Sequence, residues 1–221
     1  MRLSRYINEE LKLDDVYKYA KILKSECSQI LKIYQKRWKS HENYPFLWRG
    51  VSQEKKPIIK KASHLENRQP MSTGVEMHKW LNNWFTDKFG WPVRNGVATT
   101  GSHGQTATYG YRYAFFPKNG FKFCWSPDVN DLWGSIESKM PSLNKKGAPI
   151  PVRIKYGPDK DHFEHEIIPM LLSYTDKDLE KAIDSGHEVL INCKYYYLVN
   201  AEGQFGFGGK EIMSTLGIWQ D

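Results

Sequence analysis

In the stretch Tyr109-Gly110-Tyr111-Arg112-Tyr113-Ala114-Phe115 an aromatic residue stands at every second position. Side chains of a β-strand alternate between its two faces, so this spacing predicts a strand with one apolar face. Such a face needs a second layer to cover it. Val93 to Thr100 and Phe121 to Trp125 are similar short runs, bounded by glycine and proline. Between two of them, Lys118-Asn119-Gly120 carries the Asn-Gly pair of a tight hairpin. Val152 to Tyr156 predicts a further strand, and Glu188 to Ile191 with Tyr195 to Val199 predicts a strand pair.

The covering layer is legible upstream. Val16, Ala20, Leu23, Cys27, Ile30, Leu31 and Tyr34 recur at steps of three and four, which predicts one amphipathic helix opening at Asp14-Asp15. Its acidic start and its basic end at Lys36 and Arg37 suit the helix dipole. A second helix is expected from about Gly74 to Phe89, capped by Ser72 or Thr73 and stopped by Gly90 and Pro92. Thr175 to Asp178 opens a short third helix through Leu179 and Ile183, closed by Gly186. A chain of 221 residues fits one domain, so the expected fold is a single α+β domain, helices first, on a mainly antiparallel sheet.

Composition narrows the function classes. With 40% hydrophobic and 26% charged residues and 31 aromatics, the chain has ample surface to bury, which argues against disorder throughout. No apolar run approaches the roughly 20 residues of a membrane span. The start, Met1-Arg2-Leu3-Ser4-Arg5, leads into charged sequence, so no signal peptide is expected and the cytoplasm is the expected location. Three distant cysteines, Cys27, Cys124 and Cys193, support neither a disulfide framework nor a zinc ribbon. The formal net charge of +7 favours a polyanionic partner. Lys55, Lys56, Lys60 and Lys61 concentrate that charge, although an exposed loop would read the same way.

Several apparent motifs read more simply as structure. His162, Glu164, His165 and Glu166 lack the HEXXH spacing and a nearby third ligand, so a solvated charged segment is expected and no metal. Gly203 to Lys210 suggests a phosphate loop, yet Glu211 stands where magnesium needs a hydroxyl. Ser102-His103-Gly104 has no GxSxG elbow, and Cys124 sits inside an aromatic strand as a core residue would.

Three remote segments form a better constellation. Arg49 is set in the apolar run Phe46-Leu47-Trp48-Arg49-Gly50-Val51, where a guanidinium calls for a partner or an anionic ligand. Val97-Ala98-Thr99-Thr100-Gly101-Ser102 ends a strand in paired hydroxyls, and Gly186-His187-Glu188-Val189-Leu190-Ile191 opens a buried strand with a carboxylate. In this order they resemble the Arg–Ser–Glu class of mono-ADP-ribosyltransferases. A wider likeness is to ADP-ribosyltransferase-like proteins of tailed phages and prophages. It is carried by Arg68-Gln69-Pro70, Thr99-Thr100, Tyr109-Gly110 with Phe116-Pro117, and Asp131-Leu132-Trp133. The resemblance covers roughly residues 45 to 200. It divides the chain into an N-terminal helical segment, 1–44, and an ADP-ribosyltransferase-like domain, 45–221, with a split β-sheet.

The resemblance implies NAD as substrate, without a metal, and transfer of ADP-ribose to nucleic acid or a nucleic-acid-associated protein in the host cytoplasm. Glu188 is then expected at the ribose 2′-hydroxyl, with Arg49 on the pyrophosphate or adjacent ribose. Thr99 or Thr100 would orient Glu188 or the nicotinamide ribose. Gly50 would lie at the dinucleotide, and Trp48, Tyr109 and Tyr111 are candidates to stack on nicotinamide. Two positions depart from the family. Threonine replaces its serine, and Gly186 stands where arginine-modifying members carry glutamate and guanine-modifying members glutamine. The alternative on the same fold is a non-catalytic basic module that binds nucleic acid or a phage structural component.

Overall fold

A computed structural model describes residues 12–40, 46–52, 59–64, 68, 73–139, 160–200 and 208–219. The predicted strand Val152 to Tyr156 lies outside these residues, as does the junction between 44 and 45. The described chain is α+β. Its helices are α1 (Leu13–Glu26), α2 (Ser28–Lys39), α3 (Val75–Phe89), α4 (Leu132–Lys139), α5 (Lys160–Leu172), α6 (Leu179–Ser185) and α7 (Gly209–Thr215). Its strands are β1 (Trp48–Val51), β2 (Ile59–Ser63), β3 (Val97–Thr100), β4 (Tyr111–Pro117), β5 (Lys122–Trp125), β6 (Glu188–Asn192) and β7 (Tyr195–Val199). None of the described helices is long and apolar enough to cross a membrane.

The strands form one antiparallel sheet in the order β2-β7-β4-β1-β3-β6-β5. At its middle β1 meets β3 through one register pair, Trp48 with Thr100, whereas the other neighbours pair over four or five residues. This seam divides the sheet into β2-β7-β4-β1 and β3-β6-β5. Neither expected hairpin forms as such. β4 and β5 leave the Lys118-Asn119-Gly120 turn for different halves of the sheet, and so do β6 and β7 from the link Cys193-Lys194.

Asn119 has another use there. The expected single N-terminal helix breaks at Cys27, whose φ of −124° leaves the helical range. At the break Asn119 Nδ2 donates to Ser25 O at 3.0 Å, its backbone N–H donates to Glu26 O at 2.7 Å, and its Oδ1 accepts from Gln29 N at 2.9 Å. One turn residue thus satisfies groups that end α1 and begin α2. The remaining ends differ little from expectation. α3 starts at Gly74, without a side-chain cap from Thr73, and closes at Gly90 with φ 73°. α6 closes at Gly186 with φ 69°, a left-handed conformation that favours glycine. Val93–Asn95 is a 3₁₀ turn rather than strand, because Pro92 O and Val93 O accept from Asn95 N and Gly96 N. Tyr109 likewise belongs to a 3₁₀ turn, Gln105–Tyr109.

Helices cover both faces of the sheet, which explains why Val189-Leu190-Ile191 is apolar without alternation. Val189 and Ile191 join a core with α1, α2, α6 and α7, while Leu190 joins a second core with α3, α4 and α5. Val16, Leu23 and Ile30 share the first core with Trp48, Phe115 and Leu198, so the N-terminal helices are integral to the domain. Tyr34, fully buried, donates its hydroxyl to Phe115 O at 2.7 Å and accepts from Leu47 N at 3.1 Å. Those two hydrogen bonds fix where β1 enters the sheet.

Candidate functional site

The seam brings the three segments of the constellation onto consecutive strands: Arg49 on β1, Thr99 and Thr100 on β3, Glu188 on β6. Trp48 stands opposite Thr100, and Thr100 opposite Glu188. Cross-strand partners share a face, so Thr100 and Glu188 look the same way and Thr99 looks the other. Thr99 is 4% exposed, and its hydroxyl donates to Val189 O at 2.8 Å. The Thr100 hydroxyl donates to Gly186 O and accepts from Ser102 N at 3.0 Å. Both hydroxyls therefore hold the β3–β6 backbone, and the expected hydrogen bond from a threonine to Glu188 is not made.

Carbonyls of alternate residues leave a strand on the same edge. On β3 the edge toward β1 meets it in the ladder only at Thr100. Beyond that point Arg49 Nη1 donates to Ala98 O at 2.7 Å, and Arg68 Nη1 donates to Gly96 O at 2.6 Å. The two guanidinium groups thus hang on one strand edge two residues apart, a spacing of about 7 Å. Arg94 is the third: its Nη1 lies 3.2 Å from Glu188 Oε2 and 3.4 Å from Oε1. This pair is nearly enclosed, with side-chain exposures of 9% and 13%. Burial lowers the pKa of Arg68, and the charges of Arg49 and Arg94 lower it further while Glu188 opposes them. Three cations and one carboxylate therefore share a neighbourhood with net positive charge.

Beneath the cations lies a buried polar network. Asn82 Oδ1 accepts from Arg94 N at 2.9 Å, and Asn82 Nδ2 donates to Asn95 Oδ1 at 2.9 Å. His78 Nε2 is 2.9 Å from the same Asn95 oxygen. His78 and Asn82 stand one helical turn apart on the buried side of α3. Burial lowers the His78 pKa, aided by Arg94 and Arg68 and opposed by the bond to Asn95. Arg94 Nε and the Tyr174 hydroxyl are enclosed with no hydrogen-bond partner among the described residues. Burial holds the Tyr174 hydroxyl far above its usual range, and nearby Glu188 raises it further. The Glu188 N–H donates to Asn130 O at 2.7 Å, which anchors the start of β6.

The aromatic candidates divide. Trp48 is fully buried, edge-on to Phe46 and to His103 at 5.5 and 4.6 Å, so it is a core residue and offers no stacking face. Gly50 serves packing: a Cβ there would lie 2.4 Å from Thr106 O and 2.6 Å from Tyr109 Cβ. Only a glycine lets the Gln105–Tyr109 turn sit directly on β1. Tyr109, 65% exposed on that turn, is the open ring beside the seam, and Tyr111 is half-buried opposite Val51.

The motifs set aside in the sequence have local explanations. His162 Nε2 lies 2.8 Å from Lys139 O, and no group of three or more potential metal ligands occurs among the described residues. Lys210 lies within α7, 5.6 Å from the centre of the Trp219 ring, while residues 203–207 fall outside the described chain. Cys124 is fully buried, which pushes its thiol far up. Lys60 and Lys61 lie on the edge strand β2, with Lys55 and Lys56 outside the described residues.

No protein-family model matches this chain, and neither does any curated protein or solved structure. Arg94 is the residue that sequence patterning missed. Reading Val93 to Thr100 as strand made it one more alternating position, although Pro92 before it and Asn95-Gly96 after it are turn signals. His78 and Asn82, polar on the same side as Met77, Leu81 and Phe85, were the second available sign.

Proposed function

We propose that the chain is a mono-ADP-ribosyltransferase, taking ADP-ribose from NAD and passing it to a macromolecular acceptor. One observation supports this reading above the others. Arg49, Thr100 and Glu188, from three remote segments, occupy consecutive strands at a seam where Arg94 pairs with the carboxylate and two further guanidinium groups bond to the carbonyls of Ala98 and Gly96. The residues fit a dinucleotide in charge: a diphosphate carries two negative charges, and Arg49 and Arg68 are the fork-shaped donors that suit it.

In the reaction the bond from ribose C1′ to nicotinamide nitrogen breaks, and its electron pair leaves with nicotinamide. An acceptor nitrogen or oxygen forms the new bond to C1′ and gives up its proton. Positive charge develops on the sugar meanwhile, so Glu188, accepting from the ribose 2′-hydroxyl, stabilises the transition state more than the bound substrate. Arg49 and Arg68 orient the substrate through its diphosphate. Tyr109 is the ring available to nicotinamide. The net charge of +7, with Lys60 and Lys61 on an edge strand, favours nucleic acid or a nucleic-acid-associated protein as acceptor.

The test is release of labelled nicotinamide from NAD by the purified protein. Glu188→Gln is expected to reduce turnover at least about a hundredfold, as removal of a charge-stabilising group does, with the thermal transition retained. Equal turnover by that variant would withdraw Glu188 from the chemistry. The enclosure of Glu188 by Arg94 favours a second reading, a non-catalytic basic module for nucleic acid or a phage structural component. That reading requires wild-type protein that binds nucleic acid and leaves NAD intact.

A further inference from the structure

We infer that Arg94 is the positioning residue of Glu188: it orients the carboxylate, a task for which neither threonine hydroxyl is free. The inference rests, for its catalytic part, on Glu188 being the reacting carboxylate.

The geometry carries it in three steps. The Thr99 and Thr100 hydroxyls donate to the Val189 and Gly186 carbonyls, which removes them as holders of a carboxylate. Arg94 Nη1 lies astride the two Glu188 oxygens, at 3.2 and 3.4 Å, inside a largely enclosed pair. Arg94 is itself held from α3, because Asn82 receives its backbone N–H and binds the neighbouring Asn95. A helix face thus fixes a three-residue turn, and the turn fixes the carboxylate.

A purely structural account is weaker. Enclosed ion pairs contribute little to stability compared with apolar residues of the same size, and this one leaves Arg94 Nε unpartnered among the described residues. A group dedicated to a carboxylate that must stay oriented explains both features. Other groups bear on Glu188 as well. Arg68 reaches it from the segment before α3, Tyr174 from the end of α5 and Cys124 from β5. Of these only Arg68 adds positive charge, and its hydrogen bond is to Gly96 O.

The full-length protein, labelled with ¹³C at glutamate carboxyls, would be compared at one neutral pH as wild type, Arg94→Gln and Arg94→Lys, with the Glu188 signal assigned from Glu188→Gln. Loss of the adjacent donor is expected to displace the Glu188 carboxyl signal in Arg94→Gln. Arg94→Lys keeps one charged nitrogen on a stem of different shape, and a smaller displacement is expected. Should Arg94→Gln not fold, Arg94→Lys carries the test alone. An unmoved signal in the folded variants overturns the inference. In the NAD assay Arg94→Lys is expected to lower kcat about tenfold with KM within about twofold. Wild-type turnover that Arg94→Lys leaves unchanged also overturns it, while the proposed function stands. Wild-type protein without turnover, but with an Arg94-dependent Glu188 signal, removes the proposed function and leaves the hold of Arg94 on Glu188 in place.

Discussion

Trp48, Arg49 and Gly50 are consecutive, yet each answers a different demand. The indole fills the core, the guanidinium completes an unpaired strand edge, and the glycine admits a turn against the backbone. Only the middle residue keeps donors for a ligand, because a guanidinium has five N–H groups. The same holds for Arg68. Arg49→Lys and Arg68→Gln are each expected to weaken NAD binding by about 1.5–3 kcal/mol, the range for a hydrogen bond to a charged group. Calorimetric titration with NAD checks this. Unchanged affinity in either variant would remove that arginine from the diphosphate. For Arg49 the sequence was informative, since a cation in an apolar run is conspicuous. Trp48 misled, because an aromatic beside a candidate cation reads equally as platform or as core, and burial alone separates the two.

At the scale of elements, α3 does more than cover the sheet. It carries His78 and Asn82 on its buried side, and the depressed pKa of His78 ties the helix to pH. Near and below its ordinary pKa of about 6.5 the unfolded chain takes up a proton that folded His78 refuses. The contribution is therefore complete above that value and is lost as pH falls toward the lower folded pKa. Thermal unfolding followed from pH 7.5 to 5 is expected to show a fall in Tm that His78→Gln makes shallower. Parallel curves would refute the assignment. Sequence patterning located this helix and, from Gly90 with Pro92, its stop, as it did both halves of the N-terminal pair, read as one helix. The break at Cys27 lies between Ser25 and Ser28, weak helix formers that periodicity overrode, and the groups it frees are met by Asn119, which arrives from a turn between two strands. The same residue defeated the hairpin expectation, since an Asn-Gly pair fixes a turn and says nothing about where its strands pair.

For the whole molecule, sequence patterning supplied the class, helices over an antiparallel sheet. Strand order was not legible, because it depends on which edges meet after collapse and not on local spacing. Surface charge was legible, and it has a measurable consequence. With a formal charge of +7, binding to RNA or DNA is expected to weaken steeply with salt, by about an order of magnitude or more between 50 and 200 mM. Filter binding at both concentrations checks this, and absence of retention at the lower one would point to a protein acceptor.

The link Cys193-Lys194 has a geometric consequence for the sheet it joins. β6 and β7 lie four places apart in the strand order, a span of about 19 Å were the sheet flat. The three Cα steps from Asn192 to Tyr195 reach at most about 11 Å. The sheet must therefore curl back on itself like a half-closed book, with the single Trp48–Thr100 pair near its spine. Lengthening that tether by a few glycines would let the covers relax, and the spread of the three guanidinium groups would follow.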